Sequence, residues 1–396
     1  MITVLPVTDR RLTDLYIDLP FRLYRHDPLW VPPLRADMRK LMSPKKNPLF
    51  AEAAIEHFVA LDSAGVAVGR ISATIHHDYN RRFGEQHVFF GYFESENRQD
   101  VADALLAAVR AWALQRGKTS LIGPYSYTST QDAALLLENC DGKPPTLLQT
   151  YNPPYYRTLL ERAGFALDFT FSTFGMDSRP SERTERLRKL GQKLRERHRI
   201  TVRSATKQDL KQNLEEVRQL FNSSFAGNYE VAPISAPVFG FQIDAVRPFV
   251  DLDGIRIIEV AGKPTAFFLI LPDLNELLAK LKGSFGLLDL IRLPAYKRGI
   301  KKCVIALIGV DPELHGKGLG RVIAEEIIGY AAERFDETHT MWIDDRNPSS
   351  YVLAQNGGMR RTKRYGVFRK ELTARPQAAA PAAVRFAAAA NPMEVI

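Results

Sequence analysis

Residues 310–320, reading Val-Asp-Pro-Glu-Leu-His-Gly-Lys-Gly-Leu-Gly, are the stretch of this chain whose types and spacing can do chemistry. Gly316, Gly318 and Gly320 let backbone N–H groups approach a phosphate closely, and a helix starting beyond them adds partial positive charge. The chemistry is the cradling of a phosphorylated ligand. The spacing is not G-x-x-x-x-G-K-[ST], and these glycines stand too close together for G-x-G-x-x-G. His76-His77 and the other histidines have no metal-ligand partner at useful spacing, so no metal is expected. The Ser and Cys residues lack the context of a catalytic triad.

Such a loop must be held between a strand and a helix. Residues 303–310 are an apolar, strand-like run, and beyond the loop Ile323, Ile327, Ala331 and Phe335 fall on one helical face. The chain also repeats itself. Ile2-Thr-Val opens a stretch with Thr8, Leu12, Leu19 and Leu23; Ile200-Thr-Val opens one with Thr206, Leu210, Val217 and Phe221 in the same spacing. Ala64-Gly65 and Ala261-Gly262 each sit between apolar runs, as hairpin turns do. Asn152-Pro-Pro-Tyr-Tyr is echoed by Asn347-Pro-Ser-Ser-Tyr. Three matches in order predict a duplicated α/β unit of roughly 180 residues with a mixed sheet.

Val310-x-Pro312 followed by His315-Gly316-Lys317-Gly318-Leu319-Gly320 resembles the acyl-CoA pyrophosphate loop of the GNAT acetyltransferase superfamily, [RQ]-x-x-G-x-[GA], with His315 where Arg or Gln is usual. Backbone amides supply most contacts in such loops, so that change is tolerable. The resemblance implies acyl transfer from a thioester to an amine. It places the acyl-CoA contacts at Ile308, Val310, His315, Gly316, Lys317, Gly318, Leu319, Gly320, Arg321 and Asn347, with a backbone N–H at 308–310 as oxyanion donor. In GNAT proteins an Asn is followed along one helix by a Tyr acid and a Gly-Phe. Here Asn347 and Gly358-Met359 are in register, but Ala354 stands at the tyrosine position.

Tyr351 and Tyr365 are the substitutes for that acid, and both also read as structural. Asp344 and Asp345 are base candidates or helix caps; Glu259 is a third base candidate or an outward-facing strand charge. In the first half, residues 94–99 (Glu-Ser-Glu-Asn-Arg-Gln) replace the glycine loop with a turn carrying two acids, which would repel a pyrophosphate. The N-terminal unit is therefore expected to be degenerate, a scaffold and substrate wall. Residues 28–33 (Pro-Leu-Trp-Val-Pro-Pro), 151–156 (Tyr-Asn-Pro-Pro-Tyr-Tyr) and 342–347 (Trp-Ile-Asp-Asp-Arg-Asn) are similar to the bacterial ceramide synthase group. That resemblance implies a long-chain acyl-CoA and a lipid amine, sphinganine or its 3-keto form, as substrates.

The expected organisation is a degenerate GNAT-like unit at 1–178, a basic connecting helix at 179–199, and a catalytic unit at 200–372 with a Leu-rich insertion at 272–302. A disordered Ala/Pro-rich tail at 373–396 completes it. Residues 179–203 carry ten Lys/Arg against three Glu, with Leu187, Leu190 and Leu194 at helical spacing, so the helix is either solvated or in contact with an anionic membrane surface. The insertion reads either as two core helices or as a lid or interfacial segment. With two cysteines among 396 residues, no disulfide framework is possible. No run spans a bilayer and no signal segment opens the chain, so a cytoplasmic protein is expected, free or peripheral on the inner face of the membrane. The net charge of +9 admits nucleic acid, but no nucleic-acid motif accompanies it. Rival readings are an acyltransferase for a small soluble or protein amine and a non-catalytic acyl-CoA-binding protein. The oligomeric state is not legible.

Overall fold

In the computed structural model, which describes residues 1–129, 132–206, 208, 214–224, 231–246, 251–310 and 319–372, both expected hairpins are formed. Asp62 accepts from the Ala64 and Val66 amides at 2.9 Å, and Gly65 takes φ +77°. In the second hairpin Val260 faces Lys263 across a two-residue turn, with Ala261 at φ 53° and Gly262 at φ 78°. Two central residues with positive φ match the twist of the flanking strands.

The first half runs β1 (Thr3–Pro6), α1 (Arg10–Leu23), α2 (Arg35–Leu41), β2 (Ala53–Leu61), β3 (Ala67–His76), α3 (His77–Phe83), β4 (His87–Ser95), α4 (Gln99–Gln115), β5 (Ser120–Gly123), β6 (Leu135–Asn139), α5 (Tyr155–Arg162) and β7 (Ala166–Asp177). A connecting helix α6 (Glu182–His198) follows. The second half runs β8 (Ile200–Ser204), α7 (Leu214–Ser224), α8 (Ala236–Val246), β9 (Ile255–Val260), β10 (Lys263–Pro272), α9 (Asn275–Leu281), α10 (Leu287–Arg298), β11 (Lys302–Val310), α11 (Leu319–Arg334), β12 (Glu337–Thr340), β13 (Ile343–Asp344), α12 (Pro348–Asn356) and β14 (Arg360–Glu371).

The duplication is visible as two copies of one order: a hairpin, a strand, a long helix, a parallel strand, a short strand, a helix and a long last strand. All strands join one mixed sheet, in the order β1-β2-β3-β4-β5-β14-β7-β12-β11-β10-β9-β8. The halves exchange their last strands. β14 lies against β5 and β6 of the first half, and β7 lies against β12 and β13 of the second. The two exchanged strands pair with each other antiparallel at the centre, from Arg360↔Gly175 to Arg369↔Ala166.

Each half buries one long helix against its sheet. Val101, Leu105 and Val109 of α4 pack on Val88, Phe90 and Leu121. Val322, Ile323, Ile327 and Ala331 of α11 pack on Phe268, Ile270, Cys303 and Ile305. The expected face of α11 is thus the buried one. α6 lies along α11: Arg195 reaches Glu325 at 3.4 Å and also Glu326, and a Cβ on Gly191 would stand 2.4 Å from that of Glu325. The connecting helix is a packed element, with Arg195 turned onto α11 and Arg186, Arg188, Lys189, Lys193 and Arg197 exposed.

Candidate functional site

β11 and β12 run parallel only from Lys302↔Glu337 to Ile305↔Thr340, and the Met341 amide to the Ile305 carbonyl, 3.2 Å, is the last link between them. At that point β11 slips register by one residue against β10, with Ala306 as the extra residue between Leu269↔Leu307 and Ile270↔Ile305. A bulge re-aims the strand that carries it. β12 ends at the same place, and the chain turns through Met341 and Trp342 to pair as β13 with β7 instead. Residues 337–344 thus form two short strands, parted at Met341-Trp342 where the chain crosses the gap.

The parting of the strands opens a cleft of about 210 Å³. Its walls are Ile305, Ala306, Leu307 and Ile308 of β11, Gly320, Ile323 and Ile327 of α11, Met341, Trp342 and Ile343, and Ala354 with Met359 across the gap. Among the described residues that line it there is no carboxylate, histidine, tyrosine or lysine. Among the described residues the edge of β11 past Ile305 has no strand on its β12 side, so backbone polar groups border an apolar slot. Trp342 lines the slot, and its indole N–H is buried with no hydrogen-bond partner among the described residues.

No model of a known protein family matches the chain. Protein YghO of Escherichia coli (strain K12) is 29% identical over 366 residues, covering 90% of this chain and 92% of that protein. Bacterial ceramide synthase of Caulobacter vibrioides (strain NA1000 / CB15N) is 25% identical over 384 residues, covering 94% of this chain and 98% of that protein. Among solved structures, a tandem GNAT protein from the clavulanic acid biosynthesis pathway superposes with a TM-score of 0.54 over 95% of this chain and 99% of that chain, at 13% identity. This chain has the tandem GNAT fold.

The two GNAT units treat the same gap differently. In the N-terminal unit β4 and β5 also run parallel only briefly, from His87↔Ser120 to Phe89↔Ile122. There the chain itself fills the gap. The Tyr125 amide donates to the Phe90 carbonyl at 2.7 Å, the Ala134 amide to the Pro124 carbonyl at 2.7 Å, and Tyr125 and Tyr127 are fully buried. Gly91 permits this approach, since a Cβ there would stand 1.9 Å from the Tyr125 carbonyl oxygen. The expected acidic turn needs correction: Glu94 belongs to β4 and is largely covered, accepting from Tyr24 at 2.6 Å and Tyr156 at 2.7 Å, with Arg70 at 3.5 Å. Only Glu96 stays in the turn, held by Arg22 at 2.9 Å.

In the C-terminal GNAT unit, Ile308 and Gly320 line the cleft, Val310 closes β11 opposite Ala266, Leu319 is buried at the start of α11, and Arg321 is exposed one residue beyond Gly320. His315, Gly316, Lys317 and Gly318 lie outside the described residues, as do the tail at 373–396 and parts of the stretch after β8 that carries the repeat. Asn347 accepts from the Ser350 amide at 3.2 Å, the geometry of a helix cap. Asp344, next to the cleft wall at Ile343, is held by Arg346 at 2.6 Å; Asp345 contacts Thr170 and lies 3.4 Å from Arg364. Tyr351 stands edge-on to Phe174 at 4.9 Å and Ser350 takes the cleft-facing place. Tyr365 is fully buried on β14 with its hydroxyl 3.2 Å from Gln149, and burial pushes its phenol well above the usual value. Glu259 sits on β9 with Arg203 at 3.0 Å, two strands from the cleft.

The structure therefore brings Ile308 and Gly320 to the cleft, sets Asp344 one residue past its wall with its carboxylate on Arg346, and leaves Tyr365 and Glu259 elsewhere. Trp342 was missed as a site residue by residue-type reasoning, although it opens one of the stretches similar to the ceramide synthase group. Its signal was an aromatic residue with a polar N–H two positions ahead of the Asp344-Asp345 pair.

Proposed function

We propose that this chain is an acyl-CoA-dependent N-acyltransferase that moves a fatty acyl group onto the amine of a sphingoid long-chain base. The observation that carries the reading is the parting of β11 and β12 at Ile305, on the strand that leads in sequence to the glycine-rich residues, which leaves a slot with a strand edge unpaired among the described residues on one wall. An extended pantetheine arm can bond to that edge as a further strand would, while its pyrophosphate meets the loop ahead of α11. The apolar walls suit a fatty acyl chain, and the likeness to bacterial ceramide synthase supports a lipid amine as acceptor, drawn from an anionic membrane surface.

The chemistry needs a neutral amine, a donor to the thioester oxygen as it becomes anionic, and a proton for the thiolate. An alkyl ammonium loses its proton near pH 10 and a thiol near about 8.5 in water, so the amine is the group that needs help. A slot without charged side chains disfavours the ammonium form by desolvation. Asp344, beside the slot, is the residue proposed to accept its proton. A backbone N–H of residues 308–310 is proposed to donate to the oxyanion, and Trp342, on the crossing that faces β11, is proposed as a second donor.

Gly318→Glu tests the loop by setting a carboxylate beside the pyrophosphate. Acyl-CoA affinity in a direct titration is expected to fall roughly 100-fold or more, since like-charge juxtaposition costs several kcal/mol. Unchanged affinity would place the cofactor elsewhere. CoA release with sphinganine, but not with a short soluble amine, then distinguishes the lipid acceptor from the small-amine reading.

A further inference from the structure

The insertion between β10 and β11 divides into two unlike parts. Leu274, Leu277 and Leu281 at and within α9 are buried, Leu274 and Ile300 packing with Val304 on the face of the sheet opposite α11. The link after α9 is pinned: the Arg35 amide donates to the Gly283 carbonyl at 3.1 Å, and the Lys301 amide to Glu276 at 2.6 Å. α10 has no buried residue at all. Leu287 is 84% exposed, Ile291 77%, Leu288 65%, Leu290 58% and Phe285 46%. Elsewhere among the described residues large exposed hydrophobics stand well apart along the chain. No residue of the insertion lines the cleft, so the lid reading finds no contact to rest on.

We propose that α10 is an interfacial helix that docks this protein on an anionic lipid bilayer. The reading rests on the proposed lipid acceptor and names the surface that supplies it. Leu287, Leu288, Leu290 and Ile291 cluster in the first turns, while Arg292, Lys297 and Arg298 follow, with Lys280 and Lys282 at the pinned base. An apolar end rimmed by cations suits acyl chains below and acidic headgroups around it. Residues 280–302 hold seven Lys/Arg against one Asp. Two copies docked through this face would press like charges together, which argues against a dimer there. No helix among the described residues is long and apolar enough to cross a membrane, so the contact is a surface one.

Sedimentation of the full chain with vesicles reads docking without catalysis, whereas CoA release with a detergent-dispersed amine reads catalysis without a bilayer; failure of one leaves the other standing. The wild type is expected to co-sediment with phosphatidylcholine vesicles carrying about one third phosphatidylglycerol, and less so as salt rises. Leu287→Gln, Leu288→Gln, Leu290→Gln and Ile291→Gln together should lower partitioning about 100-fold or more. Lys297→Gln with Arg298→Gln should lower it about 20-fold, at about fivefold for each charge. Should the fourfold variant fail to fold, Leu287→Gln alone is expected to weaken binding about fivefold. The proposal is overturned if the wild type stays in solution, if the variants sediment equally, or if the apolar variants instead abolish a dimer seen by light scattering.

Discussion

Trp342 shows what a single residue contributes to this site. It lies on the crossing between β12 and β13, lines the cleft, and keeps a buried N–H without a partner among the described residues. An unsatisfied buried donor costs about 1–3 kcal/mol, a cost that a ligand oxygen would relieve. Trp342→Phe keeps most of the ring and removes the donor. Its kcat for acyl transfer is expected to fall about 10–100-fold with the thermal midpoint unchanged or raised, measured by CoA release and calorimetry. Equal kcat would confine the indole to packing. The sequence made Ile308 and Gly320 legible as neighbours because strand, loop and helix follow one another along the chain. It could not separate Tyr351 from Ser350, since a rotation of one helical position decides which faces the slot.

At the scale of elements, the same strand–helix–strand unit is used twice, once open and once closed. The sequence led to the expectation of a degenerate first unit through an acidic stretch, whereas what the structure shows there is a gap filled by the chain itself. Glu94 looked like a turn residue because its neighbours are polar; in the fold it is a largely covered carboxylate beside Arg70, and burial raises its pKa against the pull of that guanidinium. The closure is made by the segment through Tyr125 and Tyr127, whose residue types do not distinguish a plug from any loop. Gly91→Ala would drive a methyl group into the Tyr125 carbonyl. Destabilisation of roughly 3 kcal/mol or more is expected, read as an earlier urea midpoint, because overpacked backbone cannot yield as a flexible side chain can. A fall of under about 0.5 kcal/mol, the usual size of a neutral surface change, would show the plug to be loose.

The whole molecule is organised by the exchange of β7 and β14. Pattern reasoning found the duplication, the mixed sheet and most elements, since these depend on local periodicity. It did not find the exchange. Residues 166–177 and 360–371 are both long strands of similar pattern, and nothing local tells either which parallel strand to join. The consequence for the expected division at 178 and 200 is direct, because neither sequence half contains its own closing strand. Residues 1–178 expressed alone should be insoluble or molten, and stopping the chain at residue 359 should do the same to the full protein. A cooperative unfolding transition from residues 1–178 by themselves would contradict this. During synthesis the exchange sets an order of events. A ribosome releases the N-terminal sheet with its place beside β5 still empty, and the strand that fills it, β14, leaves the tunnel only after β8 to β13. The first half must therefore wait with an open sheet edge through translation of the second, a period in which holding chaperones and slow elongation would govern yield more than the stability of the finished protein does.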